Sequence, residues 1–168
     1  MIKRYLIAIA IVVLSIFNYA IYNNEELITN GKTILLRLAP VDPRSLMQGD
    51  YMRLNFKINQ ELWAKLWKIR GKKSMYIDNG SGKIIVKLDK NRVAKFVDIY
   101  KNQTLQKDNI LFRYKARDNR VILATNAFFF QEGKAKLYEK AKYGEFKVDK
   151  NGKMLLVNMV DKDFKRIK

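Results

Sequence analysis

The stretch YLIAIAIVVLSIFNYAIY, residues 5–22, contains no charged side chain and directly follows Lys3 and Arg4. About 20 apolar residues are enough to cross a hydrocarbon core of about 30 Å as an α-helix. Tyr19 and Tyr22 stand near the end of the stretch, where aromatic side chains anchor a span at the membrane interface. The sequence therefore predicts one membrane-spanning helix, and this helix decides where the rest of the chain lies.

The basic residues before the span favour an N-terminus that stays in the cytoplasm. We therefore predict a single-pass signal anchor over residues 1–22 that carries the C-terminal domain to the extracytoplasmic side. A cleavable signal peptide is the alternative, because the charged N-terminal region is very short. The anchor is favoured because a small-residue cleavage pattern is missing, with Asn18 and Tyr19 in front of Ala20.

The rest of the chain divides into two parts. Residues 23–32, NNEELITNGK, are polar and turn-prone, which predicts a short stalk. Residues 33–168 have the length and the apolar content of one ordinary domain with its own core. The predicted organisation is therefore an anchor, a stalk and one extracytoplasmic domain.

The chain is strongly basic, with 34 Lys and Arg against 16 Asp and Glu and a formal net charge of +18. At a membrane surface such a charge attracts anionic lipid headgroups or acidic envelope polysaccharide. A compositional bias toward Lys, Asn and Ile explains the same charge without a function, so both interpretations stay open. Nucleic acid is not a predicted partner, because the domain is predicted outside the cytoplasm and has no helix-turn-helix, zinc-finger or RNP pattern.

Two chemically important residue types, cysteine and histidine, are missing from the chain. Without cysteine there is no disulfide, no thiol nucleophile and no thiolate metal site. Without histidine the chain lacks the usual base of a catalytic triad and the commonest metal ligand. We therefore predict neither a cofactor nor a metal site, and an enzymatic role is disfavoured.

Hydrophobic periodicity predicts a sheet-rich domain. Met52, Leu54, Phe56 and Ile58 alternate with polar residues, as expected for a half-buried strand. Other strand-like runs are separated by turn sequences such as NGSG at 79–82, which predicts antiparallel hairpins and a meander. These runs are TILLRLA from 33, KSMYID from 73, KIIVKLD from 83, RVAKFVDIY from 92, ILFRYKA from 110, VILAT from 121, EFKVD from 145 and KMLLVNMV from 153.

Two short helices are predicted within this domain. Apolar residues recur at helical spacing over residues 60–70, after Asn59 as an N-cap. Trp63 and Trp67 share one face there, where they either pack on the sheet or form an exposed surface. Residues 132–142 also have a helical composition. The predicted fold class is therefore α+β: an N-terminal transmembrane helix followed by one mostly antiparallel, sheet-rich domain with two short helices.

The segment APVDPRSLMQGDYMRLNF, residues 39–56, stands apart from this alternation. Asp42 and Asp50 are placed to accept hydrogen bonds from turn amides, and Arg44 can pair with either carboxylate. Two interpretations stay open: the segment is a rigid polar turn with a structural role, or it is a partner or ligand contact. In the second case the contact residues are Asp42, Arg44, Asp50, Tyr51 and Arg53.

The same segment resembles the GDYXXLXY family of membrane proteins. Gly49, Asp50, Tyr51 and Leu54 match the motif of that family, and Phe56 replaces its final tyrosine. Because Phe56 alternates in register with Leu54, we expect its ring to lie in the core. The resemblance covers nearly the whole chain and implies a protein of the bacterial inner or cytoplasmic membrane that accompanies a polytopic membrane protein. It carries no catalytic residues over to this chain.

These observations lead us to expect a non-catalytic accessory protein whose extracytoplasmic domain docks on a polytopic integral membrane protein. Binding of anionic lipid or envelope polysaccharide by a basic face is the first alternative. The second is a glycan-acting enzyme in which Glu132 and Glu139, seven positions apart on one predicted helix, act as acid and base. Two solvated glutamates explain the same spacing without catalysis.

Overall fold

The computed structural model of the chain describes residues 2–40, 47–48, 51–70 and 79–167. It has the predicted α+β character, with one long N-terminal helix followed by a sheet-rich region. The helices are α1 (Ile2–Asn30), α2 (Lys57–Arg70) and α3 (Ala135–Tyr138). The strands are β1 (Lys32–Arg37), β2 (Met47–Gln48), β3 (Tyr51–Arg53), β4 (Gly80–Leu88), β5 (Ala94–Ile99), β6 (Asn109–Arg117), β7 (Arg120–Ile122), β8 (Ala127–Phe129), β9 (Tyr143–Val148) and β10 (Met154–Val160).

Helix α1 is long and apolar enough to cross a membrane. Its most apolar window is not buried against any other part of the protein, and side chains such as Leu14 and Phe17 are exposed. In water this exposure of apolar surface would be strongly unfavourable, whereas in lipid it costs nothing. By length and composition a membrane span and an N-terminal signal sequence both fit this helix.

The segment predicted as a stalk is helical as far as Asn30, so only its expected turn-prone backbone is wrong. Contacts with the sheet explain the difference. Leu27 is buried near β9 and β10, and the Lys153 ammonium donates a hydrogen bond to Asn24 Oδ1 at 2.9 Å. Lys147 Nζ donates to the carbonyl oxygen of Gly31 at 3.2 Å, just after the helix ends. These tertiary contacts outweigh the weak helix propensity of the segment.

The described strands form three sheets with antiparallel pairing, in the orders β1-β9-β10, β2-β3-β8 and β5-β4-β6-β7. A bridge between Leu38 and Phe56 joins the first sheet to the second, at the end of β1 that is remote from α1. A parallel bridge between Leu35 and Val93 joins the first sheet to the third. Helix α2 packs against β1, β5 and β7, and a single main core lies between these elements.

The alternation that predicts a strand over residues 52–58 is correct for burial and wrong for backbone structure. Leu54, Phe56 and Ile58 are all buried, and the residues between them are more exposed. Strand β3 nevertheless ends at Arg53, and α2 begins at Lys57. The Phe56 ring lies in the core, as expected, and meets the Phe146 ring edge-on at a centroid distance of 5.3 Å.

Two further predictions are corrected by the structure. The predicted helix over residues 132–142 is reduced to the four residues of α3, and Gly133 cannot belong to it because its φ of +79° is not helical. The predicted NGSG turn lies largely within β4, where Gly82 faces Tyr114 of β6 and leaves room for its ring. The predicted strand from residue 73 falls outside the described residues.

Candidate functional site

Two of the five predicted contact residues lie on β3, in the part of the chain that the structure describes. Tyr51 and Arg53 are two positions apart and share one face of the strand, while Met52 between them is buried in the core. Directly opposite on β8 are Phe129, which pairs with Tyr51, and Ala127, which pairs with Arg53. The other three predicted residues, Asp42, Arg44 and Asp50, fall outside the described residues.

The outward face of this strand pair carries an aromatic patch, formed by Tyr51 and Phe129. Their ring centroids are 5.6 Å apart, and the Phe129 side chain is 75% exposed. Within the described strands β8 forms the edge of its sheet. The flanking residues Phe128 and Phe130 instead contact Tyr138 of α3 on the inner side. A large apolar ring is thus held on a well-supported edge strand and faces solvent.

A cleft of about 580 Å³ opens beside Arg53. Three parts of the chain form its walls: the segment that follows β3, the first turns of α2, and β7 with the loop after it. Leu54 and Val121 give it a buried apolar floor. The other residues that line it are mostly polar, namely Arg53, Asn55, Asn59, Gln60, Trp63, Arg120, Ile122 and Asn126.

The charge of the cleft is unbalanced. Arg53 and Arg120 are both exposed, and neither forms an ion pair with a described carboxylate. Among the described residues, none that lines the cleft is acidic. Asp118, two positions before Arg120, lies within 3.6 Å of the Arg117 guanidinium instead. The cleft therefore presents two guanidinium groups without internal compensation, which favours an anionic ligand.

Asn59, one of the residues that line the cleft, carries an unpaired buried acceptor. Its Oδ1 atom is buried and has no hydrogen-bond partner, the one such side-chain atom recorded for the described residues. An unpaired buried acceptor costs about 1–3 kcal/mol, so it is normally kept only where something else satisfies it. Asn59 was predicted to cap the helix, but α2 begins two residues earlier, and Asn59 lies in its first turn.

Local structure holds the walls of the cleft together. Asp118 and Asn119 both have positive φ, which forms the tight turn between β6 and β7 that the sequence RDNR predicts. The Trp63 indole donates a hydrogen bond to the Asn119 carbonyl oxygen at 3.2 Å, which ties this turn to α2. The Leu54 amide donates to the Asn126 carbonyl oxygen at 2.8 Å across the cleft floor.

Trp63 of α2 lines the same cleft and forms a ring pair with Trp67. Trp63 and Trp67 stack with their ring centroids 5.3 Å apart, and both are half-buried. Trp63 also packs against the main core. The predicted alternatives for these two residues were packing on the sheet and an exposed surface. Both residues are partly packed and partly exposed.

The two glutamates considered as an acid/base pair do not share a helix. Glu132 lies in the turn before α3, Glu139 follows the helix, and both are exposed. Neither lines the cleft described above or the two smaller cavities found near Phe164. In this described region the two glutamates therefore do not form the pair of carboxylates on one helix that the enzymatic alternative required.

An ion pair that was not predicted from the sequence joins the C-terminal segment to β9. The Arg166 guanidinium makes two hydrogen bonds of 2.7 Å to the carboxylate of Glu145, which is only 4% exposed. These hydrogen bonds and the negative charge of Glu145 raise the pKa of Arg166 above its ordinary value. The pair lies on the far side of the first sheet from the main core, and its role is structural.

Sequence analysis also missed Phe129, Arg120 and Asn59 as site residues. The run of three phenylalanines at 128–130 was an available signal, because such a run cannot be buried on one face of a strand. Arg120 and Asn59 gave no signal, since only the folded chain brings them beside Arg53.

Comparison with known proteins supplies the family. No curated protein and no solved structure matches the chain. The model of the GDYXXLXY protein family matches residues 13–159, which is most of the chain and includes the motif from Gly49 to Phe56. The chain therefore belongs to the GDYXXLXY family.

Proposed function

We propose that the chain is a non-catalytic accessory protein that α1 anchors in the membrane and that docks on a polytopic integral membrane protein. In this proposal α1 remains uncleaved, and the domain lies on the extracytoplasmic side. The aromatic patch of Tyr51 and Phe129 is the contact surface. The observation that carries the proposal is the 75% exposure of Phe129 on a supported edge strand, directly opposite the motif tyrosine.

Physical chemistry supports a protein contact at this patch. Aromatic side chains are enriched among the residues that dominate binding energy, and an exposed ring loses unfavourable hydration when a partner covers it. An adjacent arginine, here Arg53, is the other residue type enriched at such sites. The edge of β8 also has main-chain groups that a partner strand can pair with.

The position of the patch determines which part of a partner it can reach. Helix α1 ends beside the start of β1, and β3 joins the far end of β1 through the bridge from Leu38 to Phe56. Six strand residues at about 3.3 Å each separate the two ends by about 20 Å. We therefore expect the patch to bind a part of the partner that projects from the membrane. Anchoring in the same membrane raises the local concentration of the two proteins.

Photo-crosslinking from the patch tests this proposal. A benzophenone amino acid at position 129 is expected to crosslink to a membrane protein in intact cells, and positions in segment 42–51 should give the same partner. Position 97 is the matched control, because Val97 is also an exposed apolar residue but lies on β5, in another sheet. Equal crosslinking from positions 97 and 129 would contradict a specific patch.

Co-purification gives a second, independent measurement. Phe129→Ala is expected to reduce recovery of the partner in mild detergent by about tenfold, whereas Val97→Ala should leave it unchanged. Both substitutions remove exposed side chains, so each should change the free energy of unfolding by no more than about 0.5 kcal/mol. If the unaltered chain repeatedly purifies without any polytopic protein, the proposal is wrong.

A further inference from the structure

We propose that the cleft bordered by Arg53, Asn59 and Arg120 binds an acidic saccharide, a sugar unit that carries a carboxylate or a phosphate. This proposal narrows the envelope-polysaccharide alternative from a general basic face to one site. It does not depend on docking to a membrane protein, because the cleft shares only Arg53 with the proposed contact surface and can be tested with the purified chain alone.

The two arginines of the cleft indicate that its ligand carries an anionic group. A guanidinium group binds a carboxylate or a phosphate through two parallel hydrogen bonds, and both Arg53 and Arg120 are free to do so. The first turn of α2 also lines the cleft, and the positive end of its helix dipole adds to the attraction. The described residues that line the cleft include no carboxylate that would oppose a negative charge.

The amide side chains of the cleft indicate that its ligand carries hydroxyl groups. Four amide side chains line the cleft, and together they offer both donors and acceptors, which is what a polyhydroxylated ring requires. These four are Asn55, Asn59, Gln60 and Asn126.

The size and the apolar surface of the cleft also suit a sugar. A volume of about 580 Å³ lies within the range of about 300–1,000 Å³ that is usual for small-molecule sites. Trp63 contributes an aromatic wall, and Leu54 and Val121 contribute an apolar floor. The carbon-bound hydrogens of a sugar ring form an apolar face that can pack against such surfaces, while its hydroxyls face the amides.

The position of the cleft favours a saccharide over a lipid headgroup. The Ala39 amide donates to the Asn55 carbonyl oxygen at 2.8 Å, which places the cleft at the end of β1 that is remote from α1. The length of β1 therefore separates the cleft from the helix that is proposed to be in the membrane. A headgroup in the same bilayer does not extend that far, whereas a polymer of the envelope does.

Intrinsic fluorescence provides a direct assay. The chain has two tryptophans, and both, Trp63 and Trp67, belong to the stacked pair at the cleft. The full chain in neutral detergent micelles is titrated with trigalacturonate, with the neutral sugar maltotriose, and with phosphatidylglycerol vesicles. We expect a saturable fluorescence change with trigalacturonate that added salt weakens. The change should be absent with maltotriose and should not be reproduced by the vesicles.

Variants separate the cleft from general charge attraction. Replacing both cleft arginines, Arg53→Gln with Arg120→Gln, is expected to weaken trigalacturonate binding at least about tenfold. The matched control is Lys87→Gln with Lys90→Gln, which removes the same charge from exposed positions outside the cleft and should leave binding unchanged. Asn59→Asp should weaken binding as well, since it adds a negative charge to the lining of the cleft.

Three results would overturn the proposal. The first is the absence of a saturable change with trigalacturonate. The second is an equal loss of affinity in the arginine and lysine double variants, which would show attraction by net charge alone. The third is saturable binding of the phosphatidylglycerol vesicles through the same arginines in preference to trigalacturonate, which would identify a lipid headgroup as the ligand.

Discussion

Gly144 shows how one missing side chain shapes the core around the family motif. It is the second residue of β9 and pairs with Leu36 on one side and Met159 on the other. A Cβ atom there would lie 2.9 Å from Phe146 Cε2 and 3.1 Å from Phe56 Cε1. These two rings are the ones that meet edge-on in the core. The residue at position 144 must therefore be small if Phe56, the last motif residue, is to be buried.

Replacing this glycine should therefore destabilise the domain. We expect Gly144→Ala to lower the free energy of unfolding by about 1–3 kcal/mol, because rigid aromatic rings must move to admit the methyl group. Urea denaturation of the full chain in micelles, followed by tryptophan fluorescence, measures the effect. Gly80→Ala is the matched control, since nothing lies within 4 Å of a Cβ atom at this other strand glycine. A comparable loss of stability in both variants would contradict this explanation.

At the scale of elements, one turn design occurs three times in the chain. In each case an aspartate Oδ1 accepts hydrogen bonds from the amides two and four residues later, at 2.7–3.0 Å. The residue three positions after the aspartate has positive φ each time: Arg92, Gly152 and Phe164. The sequences are DKNRV from 89, DKNGK from 149 and DKDFK from 161. This is the geometry of a type I turn followed by a bulge.

The third of these turns should respond to acid. Hydrogen bonds from the Lys165 and Asp163 amides lower the pKa of Asp161 below its ordinary value of 3.8, although desolvation acts in the opposite direction. A lowered pKa in the folded state means that the charged carboxylate stabilises the turn at pH values above 3.8. This contribution is lost as the pH falls through the lowered value.

An NMR titration from about pH 6 to about pH 2 can follow this change at the Lys165 amide. We expect its signal to shift at a pH below 3.8, with parallel changes at Phe164, whose ring stacks on Tyr143. Asp161→Asn is the control, because it keeps the acceptor oxygen and removes the titrating group. The same acid transition in this variant would assign the effect to another carboxylate.

The elements also show how far sequence patterns determine this fold. Burial was predictable over residues 52–58, because apolar side chains at alternate positions face the core regardless of backbone structure. The change from strand to helix was not, since it depends on contacts that α2 makes with β1, β5 and β7. The helix over residues 132–142 failed for a local reason, the positive φ of Gly133. Composition alone cannot detect such a reason.

The candidate site was predictable only where a motif marked it. Tyr51 and Arg53 were recognisable from the segment around GDY. Phe129 and Arg120 come from segments more than 60 positions further along the chain, and only strand pairing and the turn after β6 bring them near β3. A cleft built from residues 53–63 and 120–126 leaves no pattern in either segment alone.

At the scale of the whole molecule, the two proposed surfaces lie together and away from the anchor. Tyr51 belongs to the aromatic patch, while Arg53, two residues later on the same strand, borders both the patch and the cleft. The β9 to β10 turn, by contrast, is the part of the domain near α1, through the contact between Lys153 and Asn24. This arrangement can only serve the proposed functions if α1 stays attached and the domain is exported.

The last prediction is therefore that the domain is exported and that α1 stays attached to it. Alkaline phosphatase fused after Lys168 should be active, because this enzyme works only outside the cytoplasm, and the purified chain should retain its N-terminus. Both results follow if the apolar helix is a signal anchor with its basic end inside. Reversing that charge with Lys3→Glu and Arg4→Glu should lower the exported fraction, whereas Lys32→Glu, beyond the helix, should not. A mature chain that begins beyond Ala20, or a stable but inactive fusion, would contradict the anchored topology and remove the basis for docking within the membrane.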